Sequence, residues 1–239
     1  MKIAIIGYGK MGKIIEKIAI QKKHNIVLKI DDSNLNELTI ENLQKADVAI
    51  EFTGPNSAYK NIMLCFDAKI PVVSGSTGWL DNYNTVKERC EKESQAFFYA
   101  SNFSLGVNIF FKLNQHLAKI MNKFESFDVS VDETHHIHKL DAPSGTAITI
   151  AEGIISEMDR KDSWVKENSE NKKQIAVKSF REGEHPGAHT VTYNSDIENI
   201  IITHESKNRE GLAQGAVLAA EFIIGKTGML SMDDLLNIA

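Results

Sequence analysis

The sequence has few cysteines, no long apolar run and no excess of positive charge. Its two cysteines, Cys65 and Cys90, are too few for a disulfide framework, so we interpret both as reduced structural residues, with a reactive thiol as the alternative. No apolar run reaches the length of a membrane span, and residues 1–6 lack the pattern of a signal peptide. The net charge of -5 provides no basic surface for nucleic acid. These absences predict a cytoplasmic protein that binds neither nucleic acid nor membranes.

The composition is that of an ordinary globular chain. Hydrophobic residues make up 42% and charged residues 25% of the 239 positions, which is typical of a soluble protein with one or two domains. Function must therefore be sought in local motifs.

The first residues have the order strand, glycine-rich turn, helix and strand. An apolar run at 2–6 precedes the turn 7–12 (GYGKMG), and a helical pattern follows. In a dinucleotide-binding fold the first glycine makes the tight turn, the second lets the backbone approach the pyrophosphate, and the third lets the helix pack on the strand. A second strand, 25–30, ends in Asp31 and Asp32, where an acid accepts hydrogen bonds from the adenosine ribose. This pattern favours a nicotinamide dinucleotide as cofactor; a tight turn beside two solvated acids is the alternative.

Apolar and amphipathic segments then alternate as in a doubly wound α/β domain. Strands are predicted at 46–52, 70–73 and 96–99, and a helix at 57–68. Polar loops follow two of these strands, at 74–78 (SGSTG) and 100–104 (ASNFS). Since ligands of open α/β sheets lie beyond the carboxyl ends of the strands, both loops are candidate walls of the cofactor site. Ordinary turn chemistry would explain the same residues.

A second sheet is predicted from about residue 124, because Phe127, Val129 and Val131 alternate with polar residues. The stretch 159–173 holds eleven charged or amide side chains among its fifteen residues and is interpreted as a surface loop. Further strands are predicted at 174–180, 187–193 and 197–203, and a helix at 145–158.

The helix at 212–224 and the tail at 233–238 have no strand of their own to cover, so we expect them to pack on the first domain. The predicted fold is α/β, with a Rossmann-type doubly wound parallel sheet plus a second α+β domain that has a mixed or antiparallel sheet. Residues 1–105 with 212–239 would bind the dinucleotide, and residues 106–211 would bind substrate and form oligomers.

The segment 131–147 (VDETHHIHKLDAPSGTA) concentrates titratable side chains. In a strand Glu133 and His135 point to one side and His136 to the other, so the two histidines should have different roles. A histidine with its ordinary pKa of about 6.5 can deliver a proton at neutral pH, and the Lys139 ammonium can stabilise developing negative charge. Reduction by hydride needs such a proton, because the other end of the double bond must be protonated.

The sequence 144–146 (SGT) opens a predicted helix, with backbone N–H groups and a hydroxyl free to bind an anion such as a substrate carboxylate. The simpler alternative makes Ser144 an N-cap and the histidines surface residues. A metal site needs three or four ligands on one side, and His135, His136 and His138 have neither a partnered cysteine nor an HExxH helix. We therefore expect no metal.

The sequence 133–146 (ETHHIHKLDAPSGT) is similar at every fixed position to the E-x-H-H-x-x-K-x-D-A-P-S-G-T signature of the 4-hydroxy-tetrahydrodipicolinate reductases, long called dihydrodipicolinate reductases. The chain resembles this family of bacterial lysine and diaminopimelate biosynthesis over nearly its whole length. The resemblance implies that His135 donates or accepts the proton and that Lys139 is the second catalytic residue. It implies that the substrate carboxylates are held by His136, Gly145 and Thr146. It implies cofactor contacts from Gly7, Tyr8, Gly9, Lys10, Met11, Gly12, Asp31, Gly75, Ser76, Thr77, Ala100, Ser101, Asn102 and Phe103.

The implied reaction is NAD(P)H-dependent reduction of 4-hydroxy-tetrahydrodipicolinate to tetrahydrodipicolinate, with hydride delivered to the ring and water lost. The resemblance also suggests a homotetramer. Arg209, in the similar stretch 209–215 (REGLAQG), could face the dianionic substrate or be a surface residue. His189 and His204 could line the cleft or be satisfied polar residues on strands.

Two positions depart from the commonest family pattern. Many relatives have an arginine directly after the ribose-binding acid, where it can contact the 2'-phosphate of NADP, whereas this chain has Asp32. Two adjacent carboxylates repel that phosphate, so NADH is favoured, with NADPH as the alternative if Lys10 supplies a cation. Ser76 replaces the usual threonine and keeps the hydroxyl. Competing interpretations are another two-domain reductase, acting on a sugar or an aldehyde, and a sensor that binds NAD(H) without catalysis.

Overall fold

The computed structural model describes residues 1–208 and 210–237. The chain forms two compact units, Met1–Leu105 with Glu210–Ala239, and Gly106–Arg209. In chain order the strands are β1 (Lys2–Ile6), β2 (Asn25–Ile30), β3 (Val48–Glu51), β4 (Val72–Ser74), β5 (Ala96–Tyr99), β6 (Asp128–His135), β7 (Ser163–Lys166), β8 (Gln174–Arg181), β9 (Ala188–Asn194), β10 (Asn199–Glu205) and β11 (Gly228–Leu230). The helices are α1 (Lys10–Gln21), α2 (Ile40–Leu43), α3 (Pro55–Asp67), α4 (Tyr83–Lys92), α5 (Leu105–Met121), α6 (Gly145–Ile155), α7 (Glu210–Ile223) and α8 (Met232–Leu236). In the described part of the chain, no helix combines the length and apolar character needed to cross a membrane.

The first unit contains a six-stranded sheet in which all pairings are parallel. Its strand order is β11-β5-β4-β3-β1-β2. The chain moves from β1 to β2 at one side and then returns to β3 at the other side of β1, so the direction of winding reverses between β1 and β3. The predicted doubly wound parallel sheet is confirmed.

Alternate side chains of β1 enter two separate hydrophobic cores. Ile3 and Ile5 pack on one face of the sheet with α1 and α7, whereas Ala4 and Ile6 pack on the other face with α3 and α4. Because helices cover both faces, the inner strands β1, β3, β4 and β5 are almost wholly buried and mostly apolar. The position of α7 confirms that the helix predicted at 212–224 packs on the first unit.

A strand that was not predicted from the sequence follows this helix. Residues 228–230 form β11, which pairs in parallel with β5 at the edge of the sheet. The Gly228 N–H donates to the Gln95 carbonyl oxygen at 2.7 Å. A three-residue edge strand with half-buried side chains has too little pattern to be predicted from sequence.

The second unit contains a five-stranded mixed sheet with the order β10-β9-β6-β8-β7. β6 is parallel to β8 and antiparallel to β9, so it lies at the centre of the sheet. The core on one face joins Val129 and Val131 of β6 to Phe110 of α5 and Ile150 of α6. The predicted mixed sheet with one buried face is confirmed.

The interpretation of 159–173 as a surface loop is wrong for its central part. Residues 163–166 form β7, an edge strand that pairs in parallel with β8, and Trp164 packs against the core. Lys161 is buried and its ammonium donates to the carbonyl oxygens of Lys172 and Gln174, at 2.7 and 3.0 Å. The stretch is polar because an edge strand exposes much of its surface and because this lysine binds backbone.

Candidate active site

The turn after β1 requires glycine for steric reasons. Gly7 has a φ of +98°, and a Cβ there would lie 2.0 Å from the Phe52 carbonyl oxygen. The N–H groups of Gly7 and Tyr8 donate to the Ile30 carbonyl oxygen at 2.9 and 2.7 Å, which joins the ends of β1 and β2. A Cβ on Gly12 would lie 2.5 Å from the Gly7 carbonyl oxygen, so this glycine lets α1 pack closely against the turn.

A pocket of about 350 Å³ opens beyond the carboxyl ends of β1, β2 and β3. It lies where the strand order reverses, which is where doubly wound sheets bind nucleotides. A Cβ on Gly9 would meet no atom within 4 Å, so a ligand can approach the backbone there. The pocket is lined by Gly7, Tyr8, Gly9, Asp31, Asp32, Phe52, Thr53, Gly54 and Ser57. The structure thus brings four of the predicted cofactor residues to one pocket, and these are Gly7, Tyr8, Gly9 and Asp31.

Two of these side chains are held by neighbours. Asp31 Oδ1 accepts hydrogen bonds from the hydroxyl and the N–H of Ser33, at 2.5 and 2.8 Å, and these bonds lower the pKa of Asp31. The Tyr8 hydroxyl donates to Glu16, and the Lys29 ammonium lies 4.9 Å from the centre of the Tyr8 ring. An ionised Asp31 suits the expected acceptor of ribose hydroxyls.

The other predicted cofactor residues do not line this pocket. Gly12 supports the turn, Lys10 is exposed at the start of α1, and Met11 packs against the core. Phe103 is buried, with its ring 5.7 Å from the Phe52 ring. The remaining members are the buried Ala100 and Ser76, the half-buried Gly75 and Asn102, and the exposed Thr77 and Ser101.

Glu51, at the end of β3, is a buried residue that the sequence analysis missed. Its Oε1 accepts hydrogen bonds from the Thr53 N–H at 3.0 Å, the Thr53 hydroxyl and the Ser76 hydroxyl at 2.8 Å. Its Oε2 accepts a hydrogen bond from the Ser74 hydroxyl at 2.6 Å. The Thr53 N–H also donates to Ser76 Oγ at 2.8 Å. Glu51 therefore joins the loops that follow β3 and β4, and Ser76 stabilises the pocket wall from behind. A charged residue ending an apolar strand was the available signal.

In the second unit, Glu133 and His135 are 1% and 8% exposed and lie on the same face of β6, as their spacing predicted. His135 Nδ1 lies 3.2 Å from Glu133 Oε2. Glu133 Oε1 accepts hydrogen bonds from the Ser144 N–H at 3.0 Å and from Arg181 Nη2 at 3.2 Å. The sequence analysis did not identify Arg181 as a site residue. Its contact with Glu133 depends on the register in which β8 pairs with β6, which the sequence does not reveal.

His189 lies beside these residues. It pairs with Glu133 across β6 and β9, and its Nε2 is 3.3 Å from Ser144 Oγ and 3.7 Å from Glu133 Oε2. The His135 and His189 ring centres are 5.1 Å apart. Burial lowers the pKa of His189, which favours its neutral form. Glu133, His135, His189 and Ser144 therefore form one cluster of buried polar residues.

The other predicted residues of this segment lie nearer the surface. Lys139 Nζ donates to both carboxylate oxygens of Asp141, at 2.8 and 2.9 Å. Burial raises the pKa of Asp141, but the bonds from Lys139 outweigh this effect and the net shift is downward. His136 is half-buried. His204 is half-buried on β10, where burial lowers its pKa, and Arg209 lies outside the described residues.

The start of α6 has the geometry of an anion site. Ser144 is the N-cap, since its hydroxyl accepts a hydrogen bond from the Ala147 N–H at 3.2 Å. Among the described residues, none accepts a hydrogen bond from the backbone N–H of Gly145 or Thr146. A Cβ on Gly145 would meet no atom within 4 Å, so the space in front of these donors is open. Two free N–H groups at the start of a helix can bind a carboxylate.

Glu133, His135 and His189 each place one possible metal-ligand atom within 4.8 Å of the others. The Arg181 guanidinium already neutralises Glu133 from the other side, at 3.2 Å. A second cation at the same carboxylate would be repelled by this arginine. The absence of a metal therefore stays our prediction.

Comparison with known proteins places this geometry in a family. A family profile described as dihydrodipicolinate reductase, N-terminus, matches residues 1–103, and one described as dihydrodipicolinate reductase, C-terminus, matches residues 106–236. A 4-hydroxy-tetrahydrodipicolinate reductase from Christiangramia forsetii is 49% identical over 241 residues, which cover 99% of this chain and 98% of that protein. One from Neisseria gonorrhoeae is 34% identical over 203 residues, which cover 82% of this chain and 74% of that protein.

Among solved structures, a dipicolinate-bound dihydrodipicolinate reductase from Paenisporosarcina sp. TG-14 superposes with a TM-score of 0.79. The superposition covers 100% of this chain and 99% of that one at 22% sequence identity, so it supports the fold alone. The two family profiles together span nearly every residue, and the curated relatives agree with them. The chain therefore belongs to the dihydrodipicolinate reductase family.

Proposed function

We propose that the chain reduces 4-hydroxy-tetrahydrodipicolinate to tetrahydrodipicolinate with NAD(P)H, as a step of lysine and diaminopimelate biosynthesis. The observation that carries the proposal is the cluster in the second unit, where His135 is held against Glu133 and Glu133 also binds the N-cap of α6. A proton carrier and an anion-binding helix start are thereby held by one carboxylate. Family membership supports the same activity.

The first unit would bind the dinucleotide, which supplies the hydride when bound. The pocket at the reversal of strand order would receive the adenosine half, with the backbone of Gly7 and Gly9 facing the pyrophosphate and Asp31 facing the ribose. The loops at 75–77 and 100–103 would extend this site. Glu51 would hold the first of these loops in place.

The second unit would bind the substrate. His135 would deliver the proton, and the free N–H groups of Gly145 and Thr146 would hold a carboxylate, with His136 contributing to the same dianion. Lys139 is paired with Asp141, so it would exchange this partner for the substrate when the dianion binds. Such an exchange keeps the ammonium paired with a negative charge.

The experiment that tests the activity follows absorbance at the NADH band with freshly generated dihydrodipicolinate synthase product, in parallel with NADH and NADPH. We expect rapid oxidation by the wild type and a loss of about 10²- to 10⁴-fold in His135→Ala, the usual contribution of a general acid. His138→Ala is the matched control, since this histidine is exposed and pairs with Glu184 at 3.3 Å. Binding of NADH without oxidation would contradict the proposal and favour the sensor.

NADH is proposed as the preferred cofactor. Asp31 and Asp32 both line the pocket, and adjacent carboxylates disfavour the 2'-phosphate of NADPH. Asp32→Arg should raise kcat/KM for NADPH relative to NADH by at least about tenfold, the effect of roughly 1.4 kcal/mol. Lys10→Met tests the alternative, because it should lower the use of NADPH only if Lys10 contacts the phosphate. Wild type that prefers NADPH would contradict the assignment.

A cytoplasmic homotetramer is proposed as the assembled form. The uncovered face of the second sheet exposes Phe180 of β8 and Ile201 of β10, which are apolar residues that a partner subunit would cover. Light scattering after size-exclusion chromatography should give four times the monomer mass for the wild type. The double variant Phe180→Lys with Ile201→Lys should dissociate, and a wild-type monomer would refute this assembly.

A further inference from the structure

Glu133 is a buried acid of the second unit whose carboxylate lies between the proposed proton carrier and the start of α6. Its two carboxylate oxygens have different partners. Oε2 faces the histidines, 3.2 Å from His135 Nδ1 and 3.7 Å from His189 Nε2. Oε1 accepts from the Ser144 N–H and from Arg181 Nη2. One side chain therefore contacts the proton carrier and the first residue of the anion site.

The charge on Glu133 decides which nitrogen of His135 carries a proton. Burial alone would raise the pKa of Glu133, but the polar groups of His135, His189, Ser144 and Ser179 around its carboxylate outweigh burial and hold the pKa well below its usual range. An ionised carboxylate can only accept hydrogen bonds, so the 3.2 Å approach of Glu133 Oε2 to His135 Nδ1 favours a proton on Nδ1. In neutral His135 the proton then lies on Nδ1, and Nε2 is left to exchange a proton with a ligand.

The surroundings of Nε2 agree with that role. Gly187 lies beside it with a φ of +144°, and a Cβ at this position would lie 3.0 Å from His135 Nε2. Because Gly187 has no side chain, the space next to Nε2 is not filled. The nitrogen facing Glu133, in contrast, is buried.

We propose that Glu133 is a positioning residue that fixes the tautomer and orientation of His135 and ties this ring to the anion-binding start of α6. The inference deepens the proposed function and rests on it. A carboxylate limited to a structural role would cap the helix and neutralise Arg181, and its loss would change stability without changing proton delivery. The two roles are separable by experiment.

Glu133→Gln removes the charge and leaves a side chain of nearly the same shape. We expect kcat to fall by at least about tenfold, since a misdirected proton forfeits part of the 10²- to 10⁴-fold contribution of the acid. KM for NADH should stay within about twofold, because Glu133 lies in the second unit. Glu152→Gln is the matched control, an exposed glutamate on α6, and should leave kcat unchanged.

The pH profile gives a second readout. The charged or titratable groups beside His135 are Glu133 on its own strand and His189 on β9, and Arg181 on β8 is paired with Glu133. Only the first changes in Glu133→Gln, and protonated His135 then loses an adjacent negative charge. The pH dependence of kcat should therefore change in Glu133→Gln and stay as in the wild type in Glu152→Gln.

A third readout does not depend on turnover. In protein labelled with ¹⁵N-histidine, with the His135 signals assigned from His135→Gln, the wild type should show neutral His135 protonated on Nδ1. Glu133→Ala should give a mixture of tautomers, and circular dichroism verifies that this variant is folded. If Glu133→Ala does not fold, the proposal is tested by the wild-type tautomer and by kcat of Glu133→Gln. Wild-type His135 protonated on Nε2, or folded Glu133→Gln with wild-type kcat, would overturn the proposal. A wild type without reductase activity but with the Nδ1–H form dependent on Glu133 would refute only the proposed reaction.

Discussion

Gly215 of α7 allows the helix to touch the chain at Phe103, and we predict that a single methyl group there destabilises the first unit. A Cβ on Gly215 would lie 1.7 Å from the Phe103 carbonyl oxygen, whereas Cβ contacts under 3.0 Å are essentially never found. The obstructing atom is backbone, so rotation of a side chain cannot relieve the contact. Gly215→Ala must therefore move α7 away from Phe103 by more than 1 Å.

The size of the effect follows from two opposing terms. Overpacking a well-filled core costs about 1–3 kcal/mol, and a clash with backbone belongs at the upper end. Replacing glycine by alanine inside a helix returns about 1 kcal/mol. The free energy of unfolding should thus fall by about 2 kcal/mol, which corresponds to a melting temperature lower by roughly 4–8 °C in a protein of this size.

Gly211→Ala is the matched control, because Gly211 lies one turn earlier on the same helix. Its Cβ would lie 3.6 Å from Ser104 Oγ, an ordinary van der Waals distance. Only the helix-propensity term applies, so Gly211→Ala should be neutral or stabilising by up to about 1 kcal/mol. The free energies of unfolding of the two variants should therefore differ by about 2 kcal/mol or more, with Gly215→Ala the less stable.

Thermal unfolding followed by circular dichroism measures both variants, and NADH titration gives a second observation. Phe103 belongs to the loop 100–103 proposed to contact the cofactor, so a displaced helix should also weaken NADH binding in Gly215→Ala. A Gly215→Ala protein that melts at or above the wild-type temperature would refute the packing argument.

Three further outcomes are expected. Glu51→Gln should raise KM for NADH with a smaller effect on kcat, since bonds to Thr53 and Ser76 weaken from charge-assisted to neutral, and equal KM values would contradict this. The folded-state pKa of Glu133 is depressed, so its contribution to stability is present above the ordinary glutamate pKa of about 4.3 and is lost as pH falls below it; denaturant titrations should show a shallower acid dependence in Glu133→Gln. Burial raises the pKa of the Cys90 thiol to about 11 and that of Cys65 as well, so a thiol reagent at neutral pH should label neither in the folded protein, and rapid labelling would revive the reactive-thiol alternative.

Elements with a repeating pattern could be predicted from the sequence. The alternation along β6 predicted that Glu133 and His135 share one face, and the spacing 7–12 predicted a turn in which Gly7 and Gly12 are sterically required. The alternation and the glycine spacing are both local patterns in the chain, although the clash that requires Gly7 is with the distant Phe52. Local periodicity was sufficient in these cases.

Contacts that depend on register or close approach could not be predicted. His189 meets Glu133 because β9 pairs with β6 in one register, and the sequence does not specify that register. Gly215 is required by the carbonyl oxygen of a residue more than a hundred positions away in the chain. β7 and β11 are short strands at sheet edges, and each pairs with one neighbouring strand only. Their own sequences therefore have too little hydrophobic pattern to predict a strand.

The two units use the same device at their proposed binding sites. In each, a buried acid lies at or near the carboxyl end of a strand, Glu51 on β3 and Glu133 on β6, and accepts hydrogen bonds from the loop that leads into the next helix. Burying such a group is costly unless its oxygens are fully bonded, so the acid is stable only with the loop in one conformation. These hydrogen bonds restrain the loop, while the first N–H groups of α6 remain open to a ligand. Restrained loops presenting free donors are what precise placement of hydride donor and acceptor requires, because small displacements cost large factors in rate.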